Sequence, residues 1–374
     1  MTGTSLRICV AIPSLSGGGA EFVAREWAAW LARSGHSVSL AVTHPKDTDP
    51  KIPNVDVVHL TGSGLISHAR SLRNLLRREN VDIVVSLLPY YNLMAILAAR
   101  SSRTGVGVVI SGRNVEVPYP EVHGTKVVTT RILSKFLYPF CDAFVAISHP
   151  VAAEAGALYR IDSSRIAVVP NPATAKIESD GPYEKTPGVY SEVHDSGEVR
   201  PINIILPGRL VDQKEPAVAL RVAEILQRDG CDVTVHYFGD GPLRSQIMED
   251  ASFSGVDAVV HGWIEDWYRH VPQNSVVLLP SRAEGFGNVL VEAAAVGVPA
   301  VVSSQALGSA DAVIPGLTGE FALSRSADSF AKAVRKASKI EIVGVEAWLK
   351  RFGRDSSGAA LLAVLESVAG RRAV

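Results

Sequence analysis

VVLLPSRAEGFGNVLVE, residues 276–292, carries an apolar run straight into a glycine-punctuated turn and out into a helical pattern. The run is short, unbroken and rich in Val and Leu, as a strand buried on both faces must be. Gly285 and Gly287 let the backbone pass close to a ligand, and a helix starting near Gly287 turns unpaired N–H groups toward it. Such an end favours anions. Glu284 and Glu292 bracket the turn. Glu292 falls roughly five residues into the helix, about 7 Å along its axis, so the two carboxylates can hold opposite ends of one elongated ligand. A sugar and a ribose joined by a diphosphate match that layout. On spacing alone, a capped helix with a solvated Glu face matches it equally well.

The same alternation of strand and helix extends in both directions. RICVAIPSL (7–15), SVSLAV (37–42), DIVVSLL (82–88), GVVIS (107–111), AFVAIS (143–148) and IAVVPN (166–171) are apolar runs with helical patterns between them. Continuous runs predict a parallel sheet covered on both faces. A polar stretch bearing Pro and Gly follows, and the alternation then restarts with NIILPGR (203–209), VTVHYFG (233–239), VVHGW (259–263), VVLLPS and AVVSS (300–304). The expected fold is α/β, two Rossmann-like doubly wound parallel-sheet domains. The first spans residues 1–172 and the second 203–344, with a linker and loop at 173–202 and C-terminal helices at 345–374. Open sheets bind ligands outside the carboxyl ends of their strands, where all the motifs below fall.

At 374 residues, 47% hydrophobic and 20% charged, the chain can bury two sizeable cores. A net charge of -1 and a pI near 6.8 lack the basic excess of a general nucleic-acid binder, so no nucleic-acid partner is expected. Cys9, Cys141 and Cys231 are odd in number, far apart and outside any C-x-x-C pair, which points to reduced thiols and a cytoplasmic chain. The apolar run at 8–15 is too short to span a bilayer and lacks the flanks of a signal peptide.

In GRLVDQKEP (208–216), Arg209 ends the first strand of the second domain. Lys214 falls just before or inside the first turn of the next helix, with Pro216 suited to an early helical position. A helix N-terminus disfavours a cation, so Arg209, Lys214 and the free N–H groups repel one another unless an anion sits between them. A diphosphate satisfies all three. The ordinary alternative is Lys214 in water, paired with Glu215 or Asp212. SGGGAEF (16–22) is a glycine turn after the first strand, with Gly18 and Gly19 placed to bring backbone N–H groups against a phosphate or sugar. Phe22 stands where a dinucleotide fingerprint has its third glycine, so no nicotinamide or other cofactor is expected. GDGPL (239–243) repeats the strand-to-helix form around Gly241, either as a ligand contact or as a plain tight turn.

In this order GGGAE, Asn171-Pro172, GRL with Lys214, GDGPL and the E-x7-E segment EGFGNVLVE are similar to the motif series of retaining GT-B glycosyltransferases of family 4, over nearly the whole chain. The resemblance implies two facing domains, with the final helix crossing back to the first. It implies that Arg209 and Lys214, beside Gly208, hold the donor diphosphate, that Glu284 contacts the transferred sugar, and that Glu292 binds ribose hydroxyls. The backbone of Gly285, Phe286, Gly287, Asn288 and Val289 then lines sugar and phosphate, with nucleobase contacts near Gly262, Trp263 and Ile264. One departure is SGRNVEVP (111–118), where Arg113 and Asn114 stand in place of the His that many members carry. This looks like the subset with an Arg-Asn pair. Asn114 can bond a sugar hydroxyl and Arg113 can neutralise a phosphate or an acidic acceptor, or the two can simply stabilise the loop. His123 and His149, nearby in sequence, read as structural or solvated.

Asp47 and Asp49 form a literal D-x-D in a Pro- and Lys-bearing loop without a converging third ligand, and read as turn residues, so no metal site is expected. Segments 66–79, with Arg70, Arg73 and Arg77, and 125–138, with Lys126, Arg131 and Lys135, are amphipathic and basic. Each reads as a solvated face, or, with a lipid-linked acceptor, as a peripheral contact with the inner face of a membrane. The expected activity is sugar transfer from a nucleotide-diphosphate donor, UDP-linked in preference, to a glycan, lipid-linked or small-molecule hydroxyl. The rivals are a nucleotide-sugar epimerase or hydrolase on the same scaffold, and a non-enzymatic two-domain sugar-binding protein.

Overall fold

A computed structural model describes residues 5–47, 49–115, 125–179 and 201–373. Most of the expected linker and loop, at 180–200, lies outside the described residues, as do 116–118 of SGRNVEVP, His123 and the Lys126 side chain. The chain divides into two compact units, Met1–Pro172 with Arg351–Val374, and Ala173–Lys350.

The first unit is built on a parallel sheet of β1 (Arg7–Ile12), β2 (Ser37–Val42), β3 (Val55–His59), β4 (Ile83–Leu87), β5 (Gly107–Gly112), β6 (Ala143–Ala146) and β7 (Ile166–Val168), in the order β3-β2-β1-β4-β5-β6-β7. Helices α1 (Gly19–Arg33), α2 (Gly64–Arg78), α3 (Pro89–Ser102), α4 (Thr125–Leu137) and α5 (His149–Tyr159) follow β1, β3, β4, β5 and β6. All five residues of β4 are buried, the two-sided burial its unbroken apolar run predicts. β3 was not expected. Its sequence VDVVH sits on an edge and is mostly exposed, so it has no apolar run to show.

The second unit opens with the short α6 (Ala175–Ser179) and is built on β8 (Ile202–Pro207), β9 (Val233–Phe238), β10 (Asp257–Val260), β11 (Ser275–Leu279), β12 (Ala300–Ser303) and β13 (Gly319–Ala322). These strands form a parallel sheet in the order β10-β9-β8-β11-β12-β13. Helices α7 (Val218–Arg228), α8 (Arg244–Ser254), α9 (Asn288–Ala295), α10 (Ala327–Ala337) and α11 (Glu346–Leu349) complete it. The α/β class with two doubly wound parallel sheets is as expected. VVHGW is not a strand throughout: β10 is DAVV, and His261, Gly262 and Trp263 have left it. The cores are apolar and dense, with Phe330, Tyr237 and Val222 fully enclosed in the second unit.

The tail divides between the units. Trp348 and Leu349 pack on the core of the second. The last helix, α12 (Arg354–Ala373), belongs to the first, burying Leu361, Leu365 and Val368. Trp27 Nε1 of α1 donates to Ser357 Oγ at 2.8 Å, and that hydroxyl donates to Pro170 O at 2.6 Å. A Cβ at Gly358 would stand 2.2 Å from the Trp30 ring, so the crossing of α1 and α12 requires glycine there.

Candidate active site

In the second sheet the strand order reverses between β8 and β11, and the crevice beyond their carboxyl ends is where open sheets take ligands. The loops leaving those ends are bonded to each other. Gln213 Nε2 donates to Ala283 O at 2.9 Å, and the Arg282 N–H donates to Gln213 O at 2.9 Å. Arg282 Nε donates to Glu215 Oε1 at 2.9 Å, an oxygen that also accepts from Arg325. Lys214 Nζ donates to Glu284 Oε1 at 2.5 Å. Lys214 therefore lies in a 3-10 turn, Asp212–Lys214, ahead of α7, and is paired with neither Asp212 nor Glu215. The anion that the local charge demands is, in the protein by itself, Glu284. Arg209 is exposed, and its guanidinium bonds to no described residue. Arg209, Lys214 and Gly208 share the wall of one small recess with Leu206, Pro207 and Pro280.

Glycines bring these loops together. A Cβ on Gly239 would lie 1.8 Å from Gly208 O, and one on Gly241 2.3 Å from Leu210 O. The backbones are then close enough for Gly208 N to donate to Phe238 O and Leu210 N to Asp240 O, each at 2.9 Å. Gly241 thus has a structural task, seating the loop that carries Arg209. The EGFG loop is braced in the same way, since a Cβ on Gly308 would meet Glu284 O at 2.0 Å.

Gly287, at φ 88°, is the N-cap of α9 in a conformation that L side chains rarely adopt, and it has no side chain of its own to cap the helix. Asn288 and Val289 are half-buried, and Gly285 is buried. The Phe286 side chain is in the core, 2% exposed, so the ligand contact expected of it is left to its backbone. Glu292 is the fifth residue of α9, as expected, and is buried. Its Oε2 accepts from Trp267 Nε1 at 2.8 Å. Burial raises its pKa above the ordinary carboxylate range. Lys176 and the Trp267 bond oppose that rise, and Glu265 adds to it. Trp267 was missed in the sequence, where nothing separates it from Trp263. Gly262, at φ 79°, turns the chain out of β10 toward Trp263, which is 58% exposed, and Ile264, which is half-buried.

In the first unit, the glycine turn follows β1 where the strand order reverses between β1 and β4. Gly18 caps α1, and Gly19 begins it. Lys46, which drew no notice in the sequence, sits beside the turn with Nζ 3.4 Å from Ser16 O. Asp49 accepts from Ser16 Oγ at 3.0 Å and from Lys46 N at 2.9 Å, which ties the D-x-D loop to the turn. Among the described residues no cluster of three metal-ligating side chains exists. Arg113 Nη2 donates to Asn171 Oδ1 at 2.7 Å, joining two of the sequence motifs, and the guanidinium lies 5.6 Å from the Trp27 ring centre. Burial pushes its pKa down to about 9, against the pull of Glu21. Its Nη1 is buried without a partner among the described residues. Asn114 is not drawn into this group. It is exposed, and its Oδ1 accepts from the adjacent Val115 N–H.

The two basic segments differ from expectation in one respect. Arg77 is exposed but tethered, since its guanidinium donates to Ser102 O at 2.9 and 2.7 Å, satisfying the carboxyl end of α3. Arg70 is exposed. On α4, Val128, Ile132 and Phe136 are exposed at a four-residue spacing, with Lys135 beside them. No described helix is long and apolar enough to cross a membrane.

Comparison with known proteins bears on the domains and the fold. Residues 17–175 match the model of Glycosyltransferase Family 4, and residues 201–339 that of Glycosyl transferases group 1. An uncharacterized 41.2 kDa protein in the cps region of Klebsiella pneumoniae is 25% identical over 67% of this chain and 71% of its own. The Vi polysaccharide biosynthesis protein VipC/TviE of Salmonella typhi is 35% identical over 31% of this chain, which is 19% of that protein. A Campylobacter jejuni alpha-1,4-N-acetyl-D-galactosaminyltransferase, named for a diNAcBac-PP-undecaprenol acceptor, is 23% identical over 82% of both chains. Among solved structures, the lipopolysaccharide outer core galactosyltransferase WaaB superposes with a TM-score of 0.73 at 18% identity, covering 97% of this chain and 99% of that one. Anabaena Alr3699/HepE in complex with UDP-glucose gives 0.64 at 14%, covering 98% of both. With a Glycosyltransferase Family 4 domain, a Glycosyl transferases group 1 domain and a fold shared with solved glycosyltransferases, the chain is a GT-B glycosyltransferase.

Proposed function

We propose that the chain transfers a sugar, with retention at the anomeric carbon, from a UDP-linked donor to a hydroxyl of a glycan or lipid-linked acceptor in cell-surface polysaccharide assembly. The observation that carries this reading is the group of Arg209, Lys214 and Glu284 at the β8–β11 crevice, with the glycine-capped start of α9 following the same loop. As the bond from the anomeric carbon to the diphosphate breaks, negative charge grows on the leaving oxygen. Arg209, Lys214 and the positive end of α9 stabilise it. The acceptor hydroxyl attacks from the face the diphosphate leaves and passes its proton to a donor phosphate oxygen, so the protein supplies no nucleophile. Glu284 orients the sugar and Glu292 the ribose. In the first unit, Arg113 belongs to the Arg-Asn subset and offers Nη1 to an anionic or hydroxyl-bearing acceptor.

UDP as the nucleotide is supported by the HepE complex, and a lipid-linked glycan by the name of the Campylobacter relative. A peripheral seat on the inner membrane face draws on Arg70 of α2 and on the exposed Val128, Ile132, Phe136 and Lys135 of α4.

A thermal-shift panel of sugar nucleotides tests the donor. The matching one, at 100 times its dissociation constant, stabilises by about 2.7 kcal/mol. Product analysis with that donor and candidate acceptors must then yield a glycoside of retained configuration. A changed free sugar nucleotide with no glycoside from any acceptor would make the protein an epimerase or hydrolase. Chelation with EDTA is expected to leave the transfer rate unchanged; strict metal dependence would return attention to Asp47 and Asp49.

A further inference from the structure

We infer that Trp267 positions Glu292 for recognition of the donor ribose, an inference that rests on the reading of Glu292 given above. Glu292 is 4% exposed and Trp267 3%. Trp267 Nε1 is the one hydrogen-bond donor to the Glu292 side chain among the described residues, and it engages Oε2 alone at 2.8 Å. An indole N–H donates and never accepts, so it fixes the carboxylate without competing for the hydroxyl protons of a ligand. The other oxygen, Oε1, keeps its full accepting capacity for a hydroxyl pair.

The indole is held in its turn. Trp267 opens the 3-10 turn Trp267–His270 and meets the Tyr268 ring nearly edge-on, at 6.1 Å between centres and 76° between planes. The turn follows the Trp263–Ile264 loop directly, so one short segment both leaves β10 and sets the carboxylate on α9. A Phe at 267 fills most of the same volume and removes the N–H. The carboxylate is then free to change rotamer, and it faces burial without its donor.

The test compares competition by UDP with that by 2′,3′-dideoxy-UDP, in wild type, Trp267→Phe and Glu292→Gln. Trp267→Phe should raise the donor KM about tenfold, as loss of a hydrogen bond to a charged group does, with kcat within about twofold. Its preference for UDP over the dideoxy analogue should fall toward that of Glu292→Gln. Trp267→His, which keeps a ring N–H, should restore part of the preference. If Glu292→Gln retains the full wild-type preference, the ribose reading of Glu292 fails. If Glu292→Gln loses it while Trp267→Phe keeps it, Trp267 is only packing and this inference is overturned. Should Trp267→Phe not fold, the wild-type Trp267 indole N–H resonance, identified by its shift in Glu292→Gln, decides: UDP must move it and dideoxy-UDP must not.

Discussion

Glu284 and Glu292 look alike in the sequence, two carboxylates bracketing one turn, yet the corners they occupy differ in kind. At the first, a carboxylate meets a lysine at 2.5 Å, with an unpaired arginine on the same wall. At the second, a more deeply buried carboxylate meets a neutral indole at 2.8 Å. The first corner holds exchangeable charge: an arriving diphosphate can share Lys214 with Glu284. The second holds a fixed acceptor, costly to bury and suited to neutral hydroxyls. Charge is therefore handled where the bond breaks, and geometry where the nucleotide is read.

The largest effect belongs to the cationic corner. Arg209→Ala and Lys214→Ala should each lower turnover at least tenfold, since a charged hydrogen bond to a developing phosphate is worth roughly 2 to 4 kcal/mol. They should part company in stability. Arg209 is exposed and bonds to no described residue, so its removal leaves the melting temperature unchanged. Lys214→Ala strands Glu284, 8% exposed, without its cation and should cost about 2 to 3 kcal/mol of stability. Steady-state rates and melting curves of the two variants check this. Near-normal rates in both folded variants would remove the proposed site, and equal melting losses would erase the distinction between a free and a paired cation.

A smaller effect separates framework from ligand contact in the same corner. Gly241→Ala places a methyl 2.3 Å from a backbone oxygen of the loop bearing Arg209, and backbone yields less readily than a side chain. The expected cost is about 1 to 3 kcal/mol, with weaker donor binding as the loop shifts. Gly370→Ala, in open space on α12, is the control and should be neutral or stabilising by about 0.5 to 1 kcal/mol. Chemical denaturation of both variants measures the difference.

Much of this was legible because the buried strands announce themselves. Unbroken apolar runs gave β1, β4, β8 and β11, and with them the two parallel sheets and the crevices at their carboxyl ends. The edge strands β3 and β13 carry no such run, which is why they were not expected, whereas the edge strands β7 and β10 fall in or beside runs that were read. At the site, sequence could say that Lys214 wanted an anion but not which one, because its partner lies 70 positions away and only the sheet order brings β8 beside β11. Trp267 was illegible for a similar reason: 25 residues separate it from Glu292, and a buried tryptophan reads as core. Arg77 shows a smaller omission. Helical spacing assigned it to a solvated face, where it is exposed, and gave no sign that its guanidinium also reaches the end of a neighbouring helix.

The finest test of the comparison is the stability of the ligand-free protein when Glu292 loses its charge. Gln at 292 keeps the shape and an oxygen to accept from Trp267 Nε1 and removes a buried charge that has a neutral donor and no ion pair among the described residues. The fold should gain about 1 kcal/mol, or roughly 2 to 4 °C in the melting temperature of a unit of this size. The gain must depend on pH in one direction only. Because burial holds the folded-state pKa of Glu292 above its unfolded value, the folded protein binds this proton more tightly. Below the unfolded pKa, wild type and variant should therefore match. As pH rises through the unfolded value toward the raised folded one, wild type loses stability that Glu292→Gln retains, and above that range the gap is constant. Donor affinity moves the opposite way, since the ionised carboxylate is the better acceptor for ribose hydroxyls: in wild type it rises over the same window, and in the variant it stays low and flat. Calorimetry from pH 4 to 8, with and without UDP, reads both curves. A variant less stable than wild type at neutral pH would mean that Glu292 is paired after all, and that the two corners are one kind of site.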